Sequence, residues 1–293
     1  MKFLSIIGYG EVGRILAEDL RVKGVAVTAF DIKVNATLSE HASRHGVVLA
    51  RSHADAVRDA DLVLSAVTAN QAVPVARDCA SGLRPGAFFL DFNSASPSAK
   101  IAAAEMVNTA GGRYVEGAVM TSVPPYRIKV ALLLGGPHAA ALKPSLETLG
   151  FAPTVASEKL GVASATKMCR SIMIKGLEAM VIESFTSARA YGVEDQVIAS
   201  LHETFPGIDW EKHAAYFFHR AIEHGRRRSE EMREVAVTVS DVGLNPWSAS
   251  GTAERQAWMA DLAEAGVFGG TRPTQITDWR AAADRILAHI KKD

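Results

Sequence analysis

The chain has 293 residues, of which 48% are hydrophobic and 22% charged, as in ordinary globular proteins. Basic and acidic residues number 32 each, so no net charge favours nucleic acid or an anionic membrane as a partner. The two cysteines, Cys79 and Cys169, argue against a disulfide scaffold and fit a cytoplasmic protein. No apolar stretch reaches the roughly 18 residues that a membrane span needs.

The chain opens with an apolar, strand-like run at residues 3–7, which leads directly into a glycine-rich turn. A helical pattern follows at residues 12–21, and a second apolar run, residues 25–30, ends at an acid, Asp31. Strand, G-x-G-x-x-G turn, helix, strand and acid together predict a dinucleotide-binding βαβ unit. We expect the cofactor to contact Gly8, Tyr9, Gly10, Glu11, Val12, Gly13 and Asp31.

Each glycine of this motif has its own physical task. Gly8 allows the tight turn, Gly10 lets the backbone approach a pyrophosphate, and Gly13 allows close helix–strand packing. Asp31 lies 18 residues after Gly13, near the spacing at which an acid bonds the ribose hydroxyl. Its carboxylate would repel a 2′-phosphate and so favours NAD, whereas Lys33 leaves NADP open.

The rest of the first half continues the alternation of strands and helices. Strand-like runs lie at residues 47–49, 62–66, 87–90, 113–116 and 130–134, and helical patterns at 54–60, 72–81, 98–110 and 139–149. Continuous apolar strands alternating with helices predict a parallel sheet that is covered on both faces. We therefore expect a Rossmann-type α/β domain over residues 1–157, with ligands at the carboxyl ends of its strands.

The second half carries helical patterns only. Residues 160–191 contain no proline and predict one helix of about 30 residues, or roughly 45 Å. Further helices are predicted at residues 195–204, 210–224, 229–242, 249–265 and 277–290. The sequence thus predicts an all-α domain over residues 158–293, joined to the first by a long interdomain helix, and ligand sites often lie between such domains.

A lysine stands near the start of that long helix. Ser164, Lys167 and Ser171 are spaced by three and four residues and share one helix stripe. Among small neighbours, Lys167 could enter a cleft and act as general acid or base on a carbonyl or hydroxyl group. A solvated surface lysine is the simpler alternative from spacing alone.

These motifs together resemble the β-hydroxyacid dehydrogenase superfamily, which includes 3-hydroxyisobutyrate and 6-phosphogluconate dehydrogenases. The glycine turn at the N-terminus and the Gly161-x5-Lys167 segment match it, as do the segments 64–68 and 91–94. The resemblance implies that Lys167 is the catalytic proton donor or acceptor. It also implies that Asn93 lies beside the nicotinamide, that Val67 and Thr68 lie on the adenosine side, and that the protein is a homodimer.

The C-terminal part resembles a domain of unknown function found on phosphogluconate-dehydrogenase-like proteins. The segments 203–210 and 224–232 carry that likeness. Related enzymes place a basic residue in this helix, which suggests that His224 or Arg228 binds a substrate anion. Because successive helical residues point about 100° apart, Arg226, Arg227 and Arg228 cannot all face one ligand, and the sequence favours a solvated, ion-paired face for this triplet.

Two departures concern the substrate. The family's Asp-x-x-Val-Ser-Gly-Gly loop corresponds here to residues 116–122, so we expect Met120, Thr121 and Ser122 to shape a different pocket. The family's asparagine one turn after the lysine is Ser171, which has a single donor. Both changes argue against a small substrate such as hydroxyisobutyrate while leaving hydride transfer intact.

The sequence therefore predicts an NAD(P)-dependent oxidoreductase that moves hydride between the nicotinamide and a hydroxyl or carbonyl carbon of a hydroxyacid-like or substituted alcohol. An imine reductase and a non-catalytic NAD(P)-binding sensor are the alternatives. No metal site is predicted: His41 and His45 are four residues apart, but no third ligand is evident from the sequence.

Overall fold

The computed structural model describes residues 1–269 and 276–291 and divides into two compact units, Met1–Met168 and Cys169–Asp293. The first unit contains eight strands: β1 Phe3–Ile7, β2 Ala26–Phe30, β3 Val48–Leu49, β4 Leu62–Ser65, β5 Phe88–Asp91, β6 Arg113–Val119, β7 Ala131–Gly135 and β8 Ala152–Ser157. Its helices are α1 Glu11–Val22, α2 Ala36–His45, α3 His53–Val57, α4 Ala72–Ala80, α5 Pro97–Thr109, α6 Val123–Tyr126 and α7 Ala139–Leu149.

The eight strands form one sheet in the order β3-β2-β1-β4-β5-β6-β7-β8. The first six in this order pair in parallel, and their order is that of a doubly wound, dinucleotide-binding sheet. This confirms the Rossmann-type fold predicted from the sequence. The glycine turn and the loops after β4 and β5 therefore lie at one edge of the sheet, where parallel strands present their carboxyl ends.

The far end of the sheet differs from the prediction. β7 runs antiparallel to β6, and β8, which the sequence did not predict, pairs in parallel with β7. The connection over residues 120–130 contains only the four-residue α6 and a short 3-10 turn, and is too short for a parallel crossover. β8 escaped prediction because its exposed face carries only alanine and threonine, which break the apolar run, and because it contains Pro153.

Both faces of the sheet are buried. Along β4, Leu62 and Leu64 contribute to one hydrophobic cluster, and Val63 contributes to the cluster on the other face. All three side chains are fully buried. This alternation is what a sheet with helices on both faces requires.

The second unit is helical. The helix α8, Val162–Tyr191, contains the boundary between the units, and it is followed by α9 Glu194–Thr204, α10 Trp210–Ser240, α11 Trp247–Glu264 and α12 Trp279–Ile290. A core of aromatic and aliphatic side chains joins these helices, with Phe185, Phe218 and Trp279 among its largest members. Across the residues described, no helix combines the length and hydropathy needed to span a bilayer.

One helix replaces two predicted ones. The sequence pattern indicated separate helices at residues 210–224 and 229–242, but α10 is continuous from Trp210 to Ser240. Gly225, which weakened the helical pattern, is buried where α10 packs on α11. A Cβ atom there would lie 2.5 Å from the carbonyl oxygen of Gln256, so the glycine permits close helix packing.

Candidate functional site

The glycine turn is packed so tightly that two of its positions accept no side chain. Gly8 has φ 91°, and a Cβ atom there would lie 2.5 Å from the carbonyl oxygen of Ala66. A Cβ atom at Gly13 would lie 2.1 Å from the carbonyl oxygen of Gly8. Gly8 therefore lets the turn pack against the end of β4, and Gly13 lets α1 pack against the turn.

Gly10 has the opposite environment. A Cβ atom at this position would meet nothing within 4 Å, so the protein itself does not require a glycine there. Gly10 is the N-cap of α1, and no side chain caps that end of the helix. The backbone N–H groups of the first turn, which includes Glu11 and Val12, remain available to an anion together with the positive end of the helix dipole. An open cradle at a helix start fits the pyrophosphate of a dinucleotide.

Asp31 stands directly beside this turn. Its Oδ2 accepts a hydrogen bond from the backbone N–H of Tyr9 at 2.8 Å, and its Oδ1 accepts one from the N–H of Lys33 at 2.8 Å. The carboxylate is only partly buried. It is thus fixed in place and still accessible directly after the end of β2.

Tyr9 differs from the other residues of the turn because its side chain is completely buried. Its hydroxyl lies 3.0 Å from Nδ1 of His41. Burial, followed by the charge of Glu18, raises the pKa of Tyr9 to about 12, so the phenol keeps its proton at neutral pH. The ring of Tyr9 is therefore closed to a ligand, and its backbone N–H is donated to Asp31.

Asn93 joins two of the predicted loops from inside the protein. It is 3% exposed, and its Oδ1 accepts a hydrogen bond from the N–H of Val67 at 2.7 Å. Its Nδ2 donates to Oγ of Ser65 at 2.9 Å. Thr68 follows Val67 and donates from its hydroxyl to Oδ1 of Asn70 at 2.8 Å. Asn93 thus holds the loop after β4 to the loop after β5, both at the carboxyl edge of the sheet.

A buried ionic cluster supports the loop after β5, and the sequence analysis missed it. The fully buried Asp91 accepts hydrogen bonds from the Tyr114 hydroxyl at 2.7 Å and from the N–H of Asn93 at 2.8 Å. Nζ of Lys100 lies 2.9 Å from Oδ1 of Asp91. Burial raises the pKa of Tyr114 well above its usual value, and the charge of Asp91 adds to this rise. The sequence signal was a lysine within an otherwise apolar stretch of α5.

Lys167 reaches the same loop. Its Nζ donates a hydrogen bond to Oγ of Ser94 at 2.6 Å, across 73 residues of sequence. Both side chains are half-buried. Ser94 belongs to the segment 91–94 that resembles the family, but the sequence did not predict it as a site residue. Its hydroxyl is the contact that directs Lys167 to the carboxyl edge of the sheet.

The start of α8 is held by a buried carboxylate on β6. Glu116 is fully buried and accepts hydrogen bonds from the backbone N–H groups of Gly161 at 2.9 Å and Ala163 at 2.7 Å. The Ser164 hydroxyl donates to the same carboxylate at 3.3 Å. Glu116, the first residue of the expected substrate loop, therefore caps the start of α8, about one turn before Lys167.

The remaining expected substrate residues of the first unit follow this strand. β6 extends to Val119, so only Met120, Thr121 and Ser122 lie in a turn. Met120 is half-buried and its N–H donates to the carbonyl of Ala131 at 2.9 Å, while Thr121 and Ser122 are exposed. These three residues are accessible, but they are not a continuous loop with Glu116.

The other expected substrate residues belong to the second unit. Ser171 is 7% exposed and Arg228 is 6% exposed. The guanidinium of Arg228 is paired with Glu178, which also accepts a hydrogen bond from Nε2 of Gln256 at 3.2 Å. Burial, followed by the charge of Arg220, lowers the pKa of His224 to about 4. His224 is therefore neutral at physiological pH, and Arg228 already has a carboxylate partner.

The arginine triplet points in three directions. Arg226 pairs with Asp261 and Glu264 of α11, and Arg227 pairs with Glu231 one turn along α10. The sequence favoured a solvated, ion-paired face, which fits Arg226 and Arg227 but not the buried Arg228. Glu231 also pairs with the buried Lys175 at 2.6 Å, and burial lowers the pKa of that lysine.

Comparison with known families and proteins agrees with this geometry. Residues 4–155, just over half of the chain, match the family described as the NAD binding domain of 6-phosphogluconate dehydrogenase. Residues 188–259 match a domain of unknown function, DUF1932. The two matches fall on the α/β half and on the helical half of the chain.

Three similar proteins extend the comparison. An uncharacterized 28.5 kDa protein of Methanothermus fervidus is 28% identical over 83% of this chain and 93% of its own. A probable 3-hydroxyisobutyrate dehydrogenase of Mycobacterium bovis is 23% identical over 73% of each chain. The crystal structure of a conserved hypothetical protein from Sinorhizobium meliloti 1021 has a TM-score of 0.77 at 35% identity, over 98% of this chain and 96% of that one. The chain belongs to the β-hydroxyacid dehydrogenase superfamily, with an NAD binding domain of the 6-phosphogluconate dehydrogenase type.

Proposed function

We propose that the protein is an NAD-dependent oxidoreductase that interconverts a hydroxyl group and a carbonyl group on a hydroxyacid-like or substituted alcohol substrate. The hydrogen bond between Lys167 and Ser94 is the observation that carries this proposal. It brings a half-buried lysine to the edge of the sheet that presents the glycine turn. Membership of the superfamily supports an oxidoreductase, and the relative from Mycobacterium bovis supports the hydroxyacid class.

The residues at this edge fit a dinucleotide. The start of α1 would hold the pyrophosphate with the N–H groups at Gly10, Glu11 and Val12, and Asp31 would accept from the adenosine ribose. We propose that Val67 and Thr68 line the adenosine side and that Asn93 lies near the nicotinamide. The bound nicotinamide supplies the hydride acceptor or donor. The carboxylate of Asp31 favours NAD because it would repel a 2′-phosphate.

Lys167 handles the proton in this proposal. In the direction of reduction, the Lys167 ammonium donates a proton to the carbonyl oxygen, and in the direction of oxidation the neutral amine accepts the hydroxyl proton. The Ser94 hydroxyl can both accept and donate a hydrogen bond, so it holds Nζ in either protonation state. Glu116 fixes the helix on which the lysine stands.

The proposed substrate contacts include the turn after β6. We propose that Met120, Thr121 and Ser122 contact the substrate, whereas Ser171 and His224 of the second unit stay predictions from the sequence. An anion that bound Arg228 would have to compete with Glu178. The turn at Met120 suits a larger or more apolar substrate than hydroxyisobutyrate.

We further propose a cytoplasmic homodimer. The scarcity of cysteine supports the location. Met173 and Met180 of α8 are 71% and 62% exposed, and a second copy would cover such apolar groups.

The substitution Lys167→Met tests the role of the lysine. Wild-type protein is assayed in both directions on 3-hydroxyacids, ketones and cyclic imines, with cofactor binding followed by NADH fluorescence. We expect turnover of a hydroxyacid-class substrate, and kcat about a hundredfold to ten-thousandfold lower in the variant, because general acid–base catalysis contributes that much. NADH binding should remain, since Lys167 is not assigned to the adenosine side.

Lys159→Met, an exposed lysine just before α8, is the matched control and should keep wild-type kcat. Unchanged kcat in Lys167→Met would remove the proposed role of this lysine. Turnover of imines alone would identify an imine reductase, and NADH binding without turnover on the whole panel would identify a nucleotide-binding sensor.

A further inference from the structure

A second cluster of chemically reactive side chains lies where α1 packs on α2. The sequence supplied His41 and His45, four residues apart, without a third metal ligand. The fold adds Glu18, which lies 23 residues before His41 on α1. One ligand atom from each of these three partly buried residues lies within 4.8 Å of the other two.

The spacing is close to that of a metal site. Nε2 of His41 lies 2.9 Å from Oε1 of Glu18, and the two histidine rings stack with their centroids 4.5 Å apart. Ligands about 2.0–2.1 Å from a tetrahedral ion lie roughly 3.3 Å from one another. An ion between Glu18 and His41 would thus need only a small opening, and a ring nitrogen of His45 already lies within 4.8 Å of both other ligand atoms.

The surroundings hold two of the three ligands in place. Arg127 bonds Oε2 of Glu18 at 2.6 Å, which leaves Oε1 for an ion. The Tyr9 hydroxyl lies 3.0 Å from Nδ1 of His41 and fixes that ring. With an ion on Nε2, the Nδ1–H of His41 would donate to the Tyr9 hydroxyl oxygen, which can accept as well as donate, and metal-bound histidines commonly donate their other N–H to an oxygen. An ion on Nε2 would take the place of a proton that now bonds Glu18.

We propose that Glu18, His41 and His45 form a binding site for a divalent transition-metal ion, with Zn²⁺ as the best match. Two imidazoles and one carboxylate are the donor set that zinc prefers, and they leave a fourth position for water. Calcium and magnesium prefer oxygen ligands and do not suit this set. Because Tyr9 belongs to the glycine turn, the site adjoins the cofactor-binding part of the fold, and it is separate from the proton transfer assigned to Lys167.

Metal titration of the full-length protein tests this site. Chelator-treated protein is titrated with Co²⁺, followed by visible absorption, and with Zn²⁺, followed by calorimetry. We expect one equivalent per chain in the wild type. The affinity should fall by at least about tenfold in His45→Ala and in Glu18→Gln, since even the loss of an outer partner costs about 10–100-fold.

Matched controls are Glu40→Gln, an exposed acid on α2, and His202→Ala, an exposed histidine of the second unit. Both should bind one equivalent with wild-type affinity, and NADH binding by His45→Ala shows that the first unit is folded. The proposal is overturned if the wild type binds no stoichiometric ion, or if His45→Ala and Glu18→Gln bind as tightly as the controls.

Discussion

Asp31, at the carboxyl edge of the sheet, is held by backbone N–H groups, and this leaves part of its carboxylate available to a ligand. Each of its oxygens accepts one backbone N–H, from Tyr9 and from Lys33. A carboxylate offers about four acceptor positions, so capacity remains for the two hydroxyl groups of a ribose. The same negative charge is unfavourable to a phosphate on that ribose, which is the basis of the proposed NAD preference.

The substitution Asp31→Asn tests this preference at the residue itself. The amide keeps the shape and one acceptor oxygen but loses the charge, so NADH binding should weaken and the repulsion of NADPH should disappear. We expect the ratio of NADPH to NADH affinity to rise at least about tenfold, or about 1.4 kcal/mol. Fluorescence titration with both cofactors measures the ratio, which cancels any common effect of the lost backbone contact.

Asp59→Asn, an exposed acid in the same unit, is the control and should leave the ratio unchanged. If Asp31→Asn also leaves the ratio unchanged, the carboxylate does not select the cofactor.

The sequence indicated the glycine turn, Asp31 and Lys167 as candidates, but it did not indicate the distant partners that hold Lys167 and the start of its helix, Ser94 and Glu116. The glycine turn and Asp31 follow from short-range spacing, because a tight turn and a helix start need particular residues in a row. The contacts Lys167–Ser94 and Glu116–Gly161 span 73 and 45 residues. Such pairs depend on which strands become neighbours, and the pattern of one sequence does not determine that.

At the scale of elements, the position of α8 depends on one strand residue. Glu116 brings a carboxylate to the first N–H groups of α8, where a negative charge also meets the positive end of the helix dipole. Gly135 on the neighbouring strand makes room for it, since a Cβ atom there would lie 2.3 Å from Oε1 of Glu116. Glu116 thus fixes the start of α8 and thereby the position of Lys167 on that helix.

The substitution Glu116→Gln should therefore reduce both stability and activity. The amide group would direct N–H donors at backbone N–H donors, leaving a buried group unsatisfied at a cost of about 1–3 kcal/mol. We expect a lower free energy of unfolding in urea and a lower kcat, because the start of α8 loses its anchor. Glu105→Gln, an exposed acid on α5, is the matched control. A wild-type unfolding curve for Glu116→Gln would contradict the capping role.

Element boundaries show the same division between local and distant causes. The strands that are buried on both faces were predicted within one or two residues, with β6 as the exception at its carboxyl end, because continuous apolar runs mark them. The break predicted within α10 was wrong because a glycine lowers helix propensity locally, while packing against α11 favours it there. The sequence did not predict the antiparallel direction of β7, because that direction follows from the short connection at residues 120–130 and not from the strand's own residues.

At the scale of the whole molecule, each compact unit has a core of its own. Two clusters fill the faces of the sheet in the first unit, and a separate aromatic cluster fills the helical unit. All the residues proposed to hold the dinucleotide belong to the first unit. A change confined to the second core should therefore alter stability without altering cofactor affinity.

Two glycine substitutions in the helical unit test this separation, and we expect them to act in opposite directions. In Gly225→Ala the new methyl group would lie 2.5 Å from the Gln256 carbonyl oxygen and 3.2 Å from Cβ of Ala260, so α10 and α11 must move apart, at a cost of about 1–3 kcal/mol. Gly251→Ala on α11 meets nothing within 4 Å and should stabilise the helix by up to about 1 kcal/mol. Hydrogen exchange should report faster exchange in α10 and α11 for Gly225→Ala alone, with NADH affinity unchanged in both variants.

Two outcomes would contradict this prediction. Equal changes in the free energy of unfolding for both substitutions would show that the core does not require the close packing at Gly225. Weaker NADH binding in Gly225→Ala would show that the two cores are coupled.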